Sequence, residues 1–175
     1  MIQSGPVLLA MNHQSYLDPP LAGNTCDRPI YFLTRSTLLN VPVLGRILPK
    51  LNVIPVDQEG IDRRALKKLI GVVRAGNGAL VFPEGSRTLD GNLQPGQPGI
   101  GLIIAKTRAP VVPMRIFGAF DALPRGGGRF RFARVTVVVG QPIFFTDADF
   151  EDGGKEAYGQ LSQRVMDAIA SIQLE

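Results

Sequence analysis

Two short segments of this chain carry residue types suited to proton-transfer chemistry. The first, Asn12-His13-Gln14-Ser15-Tyr16-Leu17-Asp18, places the only histidine five residues before a carboxylate. The second, Phe82-Pro83-Glu84-Gly85-Ser86-Arg87-Thr88, sets an acid, a glycine and an arginine in one short run. A histidine is the usual side chain for moving a proton near neutral pH. A carboxylate that accepts from one ring nitrogen fixes the tautomer. The other nitrogen is then left to take a proton from a hydroxyl. The spacing lets a turn fold Asp18 back onto His13. It equally suits a hydrogen-bonded histidine at a strand end, with Asp18 capping a helix. In the second segment Gly85 permits a tight turn or the close approach of a ligand. Arg87 offers a planar, permanently charged fork for a phosphate or carboxylate. The plainer alternative is a turn bearing a surface Glu–Arg pair, which would contribute little.

Other chemistries find less support. Cys26 has no second histidine to activate it, and Ser15 and Ser86 lack the Gly-x-Ser-x-Gly setting of a nucleophile elbow. The glycine-rich stretches match neither a phosphate-binding loop nor a dinucleotide fingerprint. One histidine cannot build a multi-histidine metal centre, and the acidic cluster Asp147, Asp149, Glu151 and Asp152 has no calcium-loop spacing. It reads as a solvated turn, and no metal is expected.

The two segments must be held by regular elements. Pro6 to Met11 is a compact apolar run and reads as a buried strand delivering Asn12 and His13 at its end. Pro19 and Pro20 should interrupt regular structure soon after. Ile30 to Leu33 and Val53 to Val56 read as further strands. Between them Ser36 to Leu51, broken by Pro42, Gly45 and Pro49, reads as one or two short helices. Ile61 to Ala75 has helical spacing, with Ile61, Ala65, Leu66, Leu69, Ile70 and Val73 on one side and basic residues largely on the other. Ala79 to Phe82 reads as a short buried strand leading into the Gly- and Pro-rich loop 83–99. Ile100 to Thr107 reads as a helix and Val111 to Ile116 as a strand. Gly126-Gly127-Gly128 forms a loop tip, and the alternating Arg129-Phe130-Arg131-Phe132 leads into a strand from Val135 to Val139. Lys155 to Ile172 closes the chain as an amphipathic helix. Strands alternating with helices predict a single α/β domain over 1–175, its mixed, largely parallel sheet flanked by helices. Catalytic loops sit at strand ends in such sheets.

The bulk numbers bound the partners. The 175 residues are 45% hydrophobic and 19% charged, enough for one domain with a sizeable core. A formal net charge of +4 suits an anionic membrane surface or a phosphorylated substrate. Nucleic acid is not expected, because no long basic run or recognised binding motif is present. A single cysteine allows no intrachain disulfide, which is compatible with a reducing compartment. No apolar run approaches the roughly 18 to 20 residues of a membrane span.

Read together, the two segments resemble the glycerolipid acyltransferase family, of which bacterial 1-acylglycerol-3-phosphate acyltransferase is typical. Asn12, His13 and Asp18 match its Asn-His-x4-Asp block, and Phe82 to Arg87 match its Phe-Pro-Glu-Gly-Ser/Thr-Arg block without a gap. Val111-Val112-Pro113-Met114 matches its later Val-Pro block. The resemblance runs from about Pro6 to Pro142. It implies transfer of a fatty acyl group from an acyl thioester, acyl-CoA or acyl carrier protein, to the free hydroxyl of lysophosphatidic acid or a related lysolipid. No cofactor beyond that co-substrate is implied. His13 would be the general base and Asp18 its orienting partner. Asn12, Glu84, Gly85, Ser86, Arg87, Val112 and Pro113 would bind substrate, with Glu84 on the glycerol and Arg87 on the phosphate. The expected setting is cytoplasmic, peripheral on a membrane. Leu38, Leu39, Val43, Leu44, Ile47 and Leu48 are candidates for lipid contact, although a core helix accounts for them as well.

The chain departs from the family pattern in two ways. Gln58 stands where the second block usually has arginine, and Gln97 where many members have lysine. Both are possible acceptor contacts, and their neutrality suggests an acceptor less anionic than lysophosphatidic acid. Arg35, Arg63 or Arg64 could compensate. The first strand is also expected to begin almost at once, where the family usually has an N-terminal helical anchor, which reads either as a minimal core or as a truncated chain start. Two competing readings are a non-catalytic lipid- or phosphate-binding module of the same fold and an acyl-thioester hydrolase. The His13–Asp18 pair argues against the first, and Glu84 with Arg87 against the second.

Overall fold

The architecture of the chain was read from a computed structural model that describes residues 2–42, 44–57, 62–126, 129–151 and 153–174. Val43, Gln58, Ile61, Gly127, Gly128 and Asp152, on which expectations above fall, lie outside the described residues. Six strands form one sheet: β1 (Val7–Met11), β2 (Ile30–Arg35), β3 (Val53–Val56), β4 (Gly78–Val81), β5 (Val111–Phe117) and β6 (Thr136–Val139). Their spatial order is β3-β2-β4-β1-β5-β6, parallel throughout except for the β5–β6 pair. The α/β expectation with a largely parallel sheet therefore holds.

β1 and β4 are buried at every position, as central parallel strands covered on both faces must be. One face packs under three helices: α3 (Arg63–Arg74), α4 (Pro98–Thr107) and α6 (Gly154–Ser171). Leu8, Ala10, Ala79, Val81 and Val111 of the sheet meet Leu69, Ile104 and Ile169 there. The opposite face gathers Leu9, Met11, Leu80, Val112, Met114 and Ile116 against Ala22 and Ala119. Ala22 lies in α1 (Asp18–Gly23) and Ala119 in α5 (Ala119–Ala122). Gly101 lets α4 lie directly on α6, where a Cβ would run into the Tyr158 carbonyl.

Some local expectations need correction. Pro19 and Pro20 do not interrupt regular structure; they lie in the first turn of α1, where a missing N–H costs no hydrogen bond. Helix α3 starts at Arg63, because Asp62 accepts from the amides of Arg64 (2.9 Å) and Ala65 (3.1 Å). The strand expected from Val135 begins at Thr136, and in the run Arg129 to Phe132 that leads into it the Arg131 amide donates to the Ala122 carbonyl (2.8 Å). The 36–51 segment is a chain of short pieces, with 3₁₀ turns at Ser36–Asn40 and Leu48–Lys50 around α2 (Leu44–Ile47). Leu48 is buried and Leu38 and Leu39 are half-buried, so these side chains turn partly inward. The acidic cluster forms a 3₁₀ turn at Asp147–Phe150. Thr146 and Asp149 cap it reciprocally, and Arg108 and Arg164 pair with Asp147 and Asp149.

Candidate active site

β1 and β4 are neighbours, with Ala10 opposite Val81. Their carboxyl ends therefore bring His13 and the Phe82–Arg87 turn to the same edge. The chain leaves β1 for one side of the sheet and β4 for the other, a crevice geometry common to ligand sites in such sheets.

Asp18 is fully buried at the start of α1. Its Oδ2 accepts from His13 Nδ1 (2.8 Å), the Gln14 amide (2.6 Å) and the Ser15 amide (2.7 Å). The loop between β1 and α1 thus wraps around one carboxylate oxygen. The imidazole lies flat on Phe82, with ring centroids 3.8 Å apart. Its side chain is 18% exposed, and among the described residues Nε2 has no hydrogen-bond partner. Burial lowers the His13 pKa below its usual 6.5. Asp18 opposes that shift, while Arg87 and Arg125 reinforce it. The ring is thus neutral at physiological pH, with Nδ1–H held by Asp18 and Nε2 available as an acceptor.

Glu84 is only 5% exposed, and among the described residues neither of its oxygens has a well-formed hydrogen bond. Burial, with a smaller push from Asp18, raises its pKa to about 7. The nearby amides of His13 and Gln94 pull the other way. Glu84 and Arg87 do not pair with each other; instead the Arg87 guanidinium covers the Tyr16 ring, 3.5 Å from its centroid. Arg87 Nη1 is buried without a partner, as is Asp18 Oδ1. Among the described residues, the buried side-chain polar atoms lacking partners all belong to Asp18, Glu84 and Arg87. Unsatisfied groups gathered at one place mark a site built to meet a ligand.

The remaining expected residues divide into frame and rim. Asn12 uses both ends of its amide on β5, accepting from the Ile116 amide (2.8 Å) and donating to its carbonyl (3.1 Å). It thereby fixes where β1 ends. Gly85 has φ +72°, and a Cβ there would press on the Gln97 side chain at 3.2 Å. Ser86 is exposed at the turn. Gln97 is exposed; its backbone ties to Pro83 (2.8 Å) and to the Ser162 hydroxyl (2.9 Å). Val112 and Pro113 are buried within β5, beside Leu9 and Ala10 and before the carboxyl edge that carries His13. Cys26 is half-buried and donates to the Ala22 carbonyl. Burial raises its pKa, so it stays a thiol.

Two contributors escaped the sequence reading. Gln14 bridges loops, donating to the Gly91 carbonyl (3.1 Å) and accepting from the Phe120 amide (3.3 Å). Arg125, beyond α5, donates to the Arg87 carbonyl (3.2 Å) and acts on His13. Its signal was present as a lone arginine before the glycine run, but only the fold carries that loop to the site.

Comparisons with known proteins bear on the fold and the family. The structure of a 1-acyl-sn-glycerophosphate acyltransferase, PlsC, from Thermotoga maritima superposes with a TM-score of 0.73. It is 24% identical, covering 98% of this chain and 69% of that one, so the fold is shared. The chloroplastic 1-acyl-sn-glycerol-3-phosphate acyltransferase of Brassica napus is 32% identical over 149 residues, 82% of this chain and 42% of that protein. The 1-acyl-sn-glycerol-3-phosphate acyltransferase of Bacillus subtilis is 24% identical over 95% of this chain and 80% of that protein. The chain spans about two fifths of the length of the Brassica and Arabidopsis relatives it matches. Residues 1–117 match the family model described as Acyltransferase, and the chain belongs to that family.

Proposed function

We propose that this chain transfers a fatty acyl group from an acyl thioester to the free hydroxyl of a phosphate-bearing lysolipid, with His13 as general base. The observation that carries this reading is the His13 Nδ1–Asp18 Oδ2 contact at 2.8 Å, at the strand edge where both Glu84 carboxylate oxygens and one Arg87 nitrogen are buried without a hydrogen-bond partner. The acceptor hydroxyl gives its proton to Nε2 as its oxygen attacks the thioester carbonyl carbon. Asp18 holds the ring and stabilises the imidazolium. The tetrahedral intermediate collapses with cleavage of the C–S bond, and the departing thiolate takes the proton from His13. No acyl-enzyme is needed. Glu84 holds the glycerol portion and Arg87 the phosphate.

The neutral Gln58 and Gln97 suggested a less anionic acceptor. Arg125 beside Arg87 supplies a second cation and supports a phosphate-bearing acceptor such as lysophosphatidic acid. The test is thiol release from acyl-CoA and from acyl carrier protein, with and without lysolipid. Release that requires lysophosphatidic acid is the expected result. Acceptor-independent release identifies a hydrolase, and no release with either donor leaves a binding module.

A further inference from the structure

The loop between α5 and β6 presents a surface of unusual composition. Residues 122–146 contain four arginines, Arg125, Arg129, Arg131 and Arg134, and no Asp or Glu. Phe130 and Phe132 stand between them, 57% and 101% exposed, and their rings touch only edge to face, with centroids 5.6 Å apart. Arg129, Arg131 and Arg134 are exposed as well. Two exposed phenylalanine rings are costly in water and mark a surface built to be covered. Apolar rings between arginines suit the boundary of an anionic bilayer, where rings enter the acyl region and guanidinium groups meet phosphates.

The patch is continuous with the site. The Arg131 amide holds the Ala122 carbonyl, and Arg125 reaches the Arg87 carbonyl. Leu89, 76% exposed, rises one residue after Thr88, whose amide binds the His13 carbonyl. We infer that Phe130 and Phe132, flanked by Arg129, Arg131 and Arg134, seat the mouth of the site on an anionic lipid surface. This choice of occupant rests on the lipid-acceptor reading above. Its test does not, because partition onto vesicles needs no turnover.

The experiment is co-sedimentation of the 175-residue chain with phosphatidylcholine vesicles, with and without phosphatidylglycerol. Phe130→Ser/Phe132→Ser and Arg129→Gln/Arg131→Gln variants are compared after their melting temperatures are matched to the parent. The parent should partition only onto the anionic vesicles. Each double variant should lose about tenfold or more in partition. Turnover of a short-chain acceptor dissolved as monomer should be unchanged in the Phe130→Ser/Phe132→Ser variant, while turnover of vesicle-borne acceptor falls. The inference is overturned by equal partition onto neutral vesicles, by no partition, or by either double variant partitioning like the parent. Capture of acyl carrier protein by the patch, with no vesicle binding, would reassign it to a protein partner and overturn it too.

Discussion

The backbone amide of Thr88 donates to the carbonyl of His13 at 2.8 Å, which locks the end of the second motif to the histidine of the first. Thr88 is itself buried, and its hydroxyl bonds Asp90 and receives the Gly91 amide, so the whole turn after β4 is braced. His13 and the turn that carries Glu84 and Arg87 are therefore held together as one unit.

That unit has a pH signature. His13 must be neutral to accept a proton, and burial lowers its pKa below 6.5. kcat/KM should therefore fall at low pH with a midpoint below 6.5. Measuring the profile in Glu84→Gln leaves His13 as the titrating group of the pair. A midpoint at or above 6.5 would contradict the burial argument. His13→Ala should lower kcat by about 10²–10⁴-fold at every pH.

Asp18→Asn should cost more than a surface change of the same size. One carboxylate oxygen serves the imidazole and two amides, and an amide side chain cannot accept from all three through an equivalent charged atom. The imidazole loses its tautomer control, so kcat should drop by about 10³–10⁴-fold. Orphaned amides should also reduce stability by about 1–3 kcal/mol. Steady-state kinetics and thermal melting separate the two losses.

Glu84 ties stability to pH. An acid whose folded pKa is raised to about 7 holds its proton more tightly when folded, so ionisation opposes folding. Stability contributed by the protonated form is full below 4.5 and is lost as pH rises through 7. Across that window the effect is on the order of 3 kcal/mol. Glu84→Gln should melt close to the parent at pH 5 and higher than the parent at pH 8, while losing activity. Parallel melting curves across pH would show that Glu84 is better solvated than its burial implies.

Arg87→Gln and Arg125→Gln should both raise KM for a phosphate-bearing acceptor, by about tenfold or more each. KM for the acyl donor should stay constant. If Arg125→Gln leaves acceptor KM unchanged, its bond to the Arg87 carbonyl is only a loop contact.

Away from the site, Gly101→Ala places a methyl group in the Tyr158 carbonyl and should separate α4 from α6. The expected loss is about 1–3 kcal/mol, read from chemical denaturation.

The sequence by itself determined the central strands and long helices, since runs such as Val7–Met11 and the periodic face of Arg63–Arg74 have few alternative ways to bury their side chains. It also pointed to the His13–Asp18 pair, because a single histidine with a carboxylate five residues on leaves few other partners. It misread Pro19 and Pro20, whose meaning depends on whether they fall inside a helix or in its first turn. The strand expected from Val135 to Val139 is present from Thr136, and the alternating run 129–132 before it lies outside any strand, because a period of two does not create a neighbouring strand to pair with. Only the tertiary structure decided that β4 lies beside β1, which joins His13 to Glu84 across about seventy residues. Only it assigned Asn12 to the β5 backbone and brought Arg125 to Arg87. These are contacts between distant segments, fixed by strand order and burial, and no local pattern of residues encodes them.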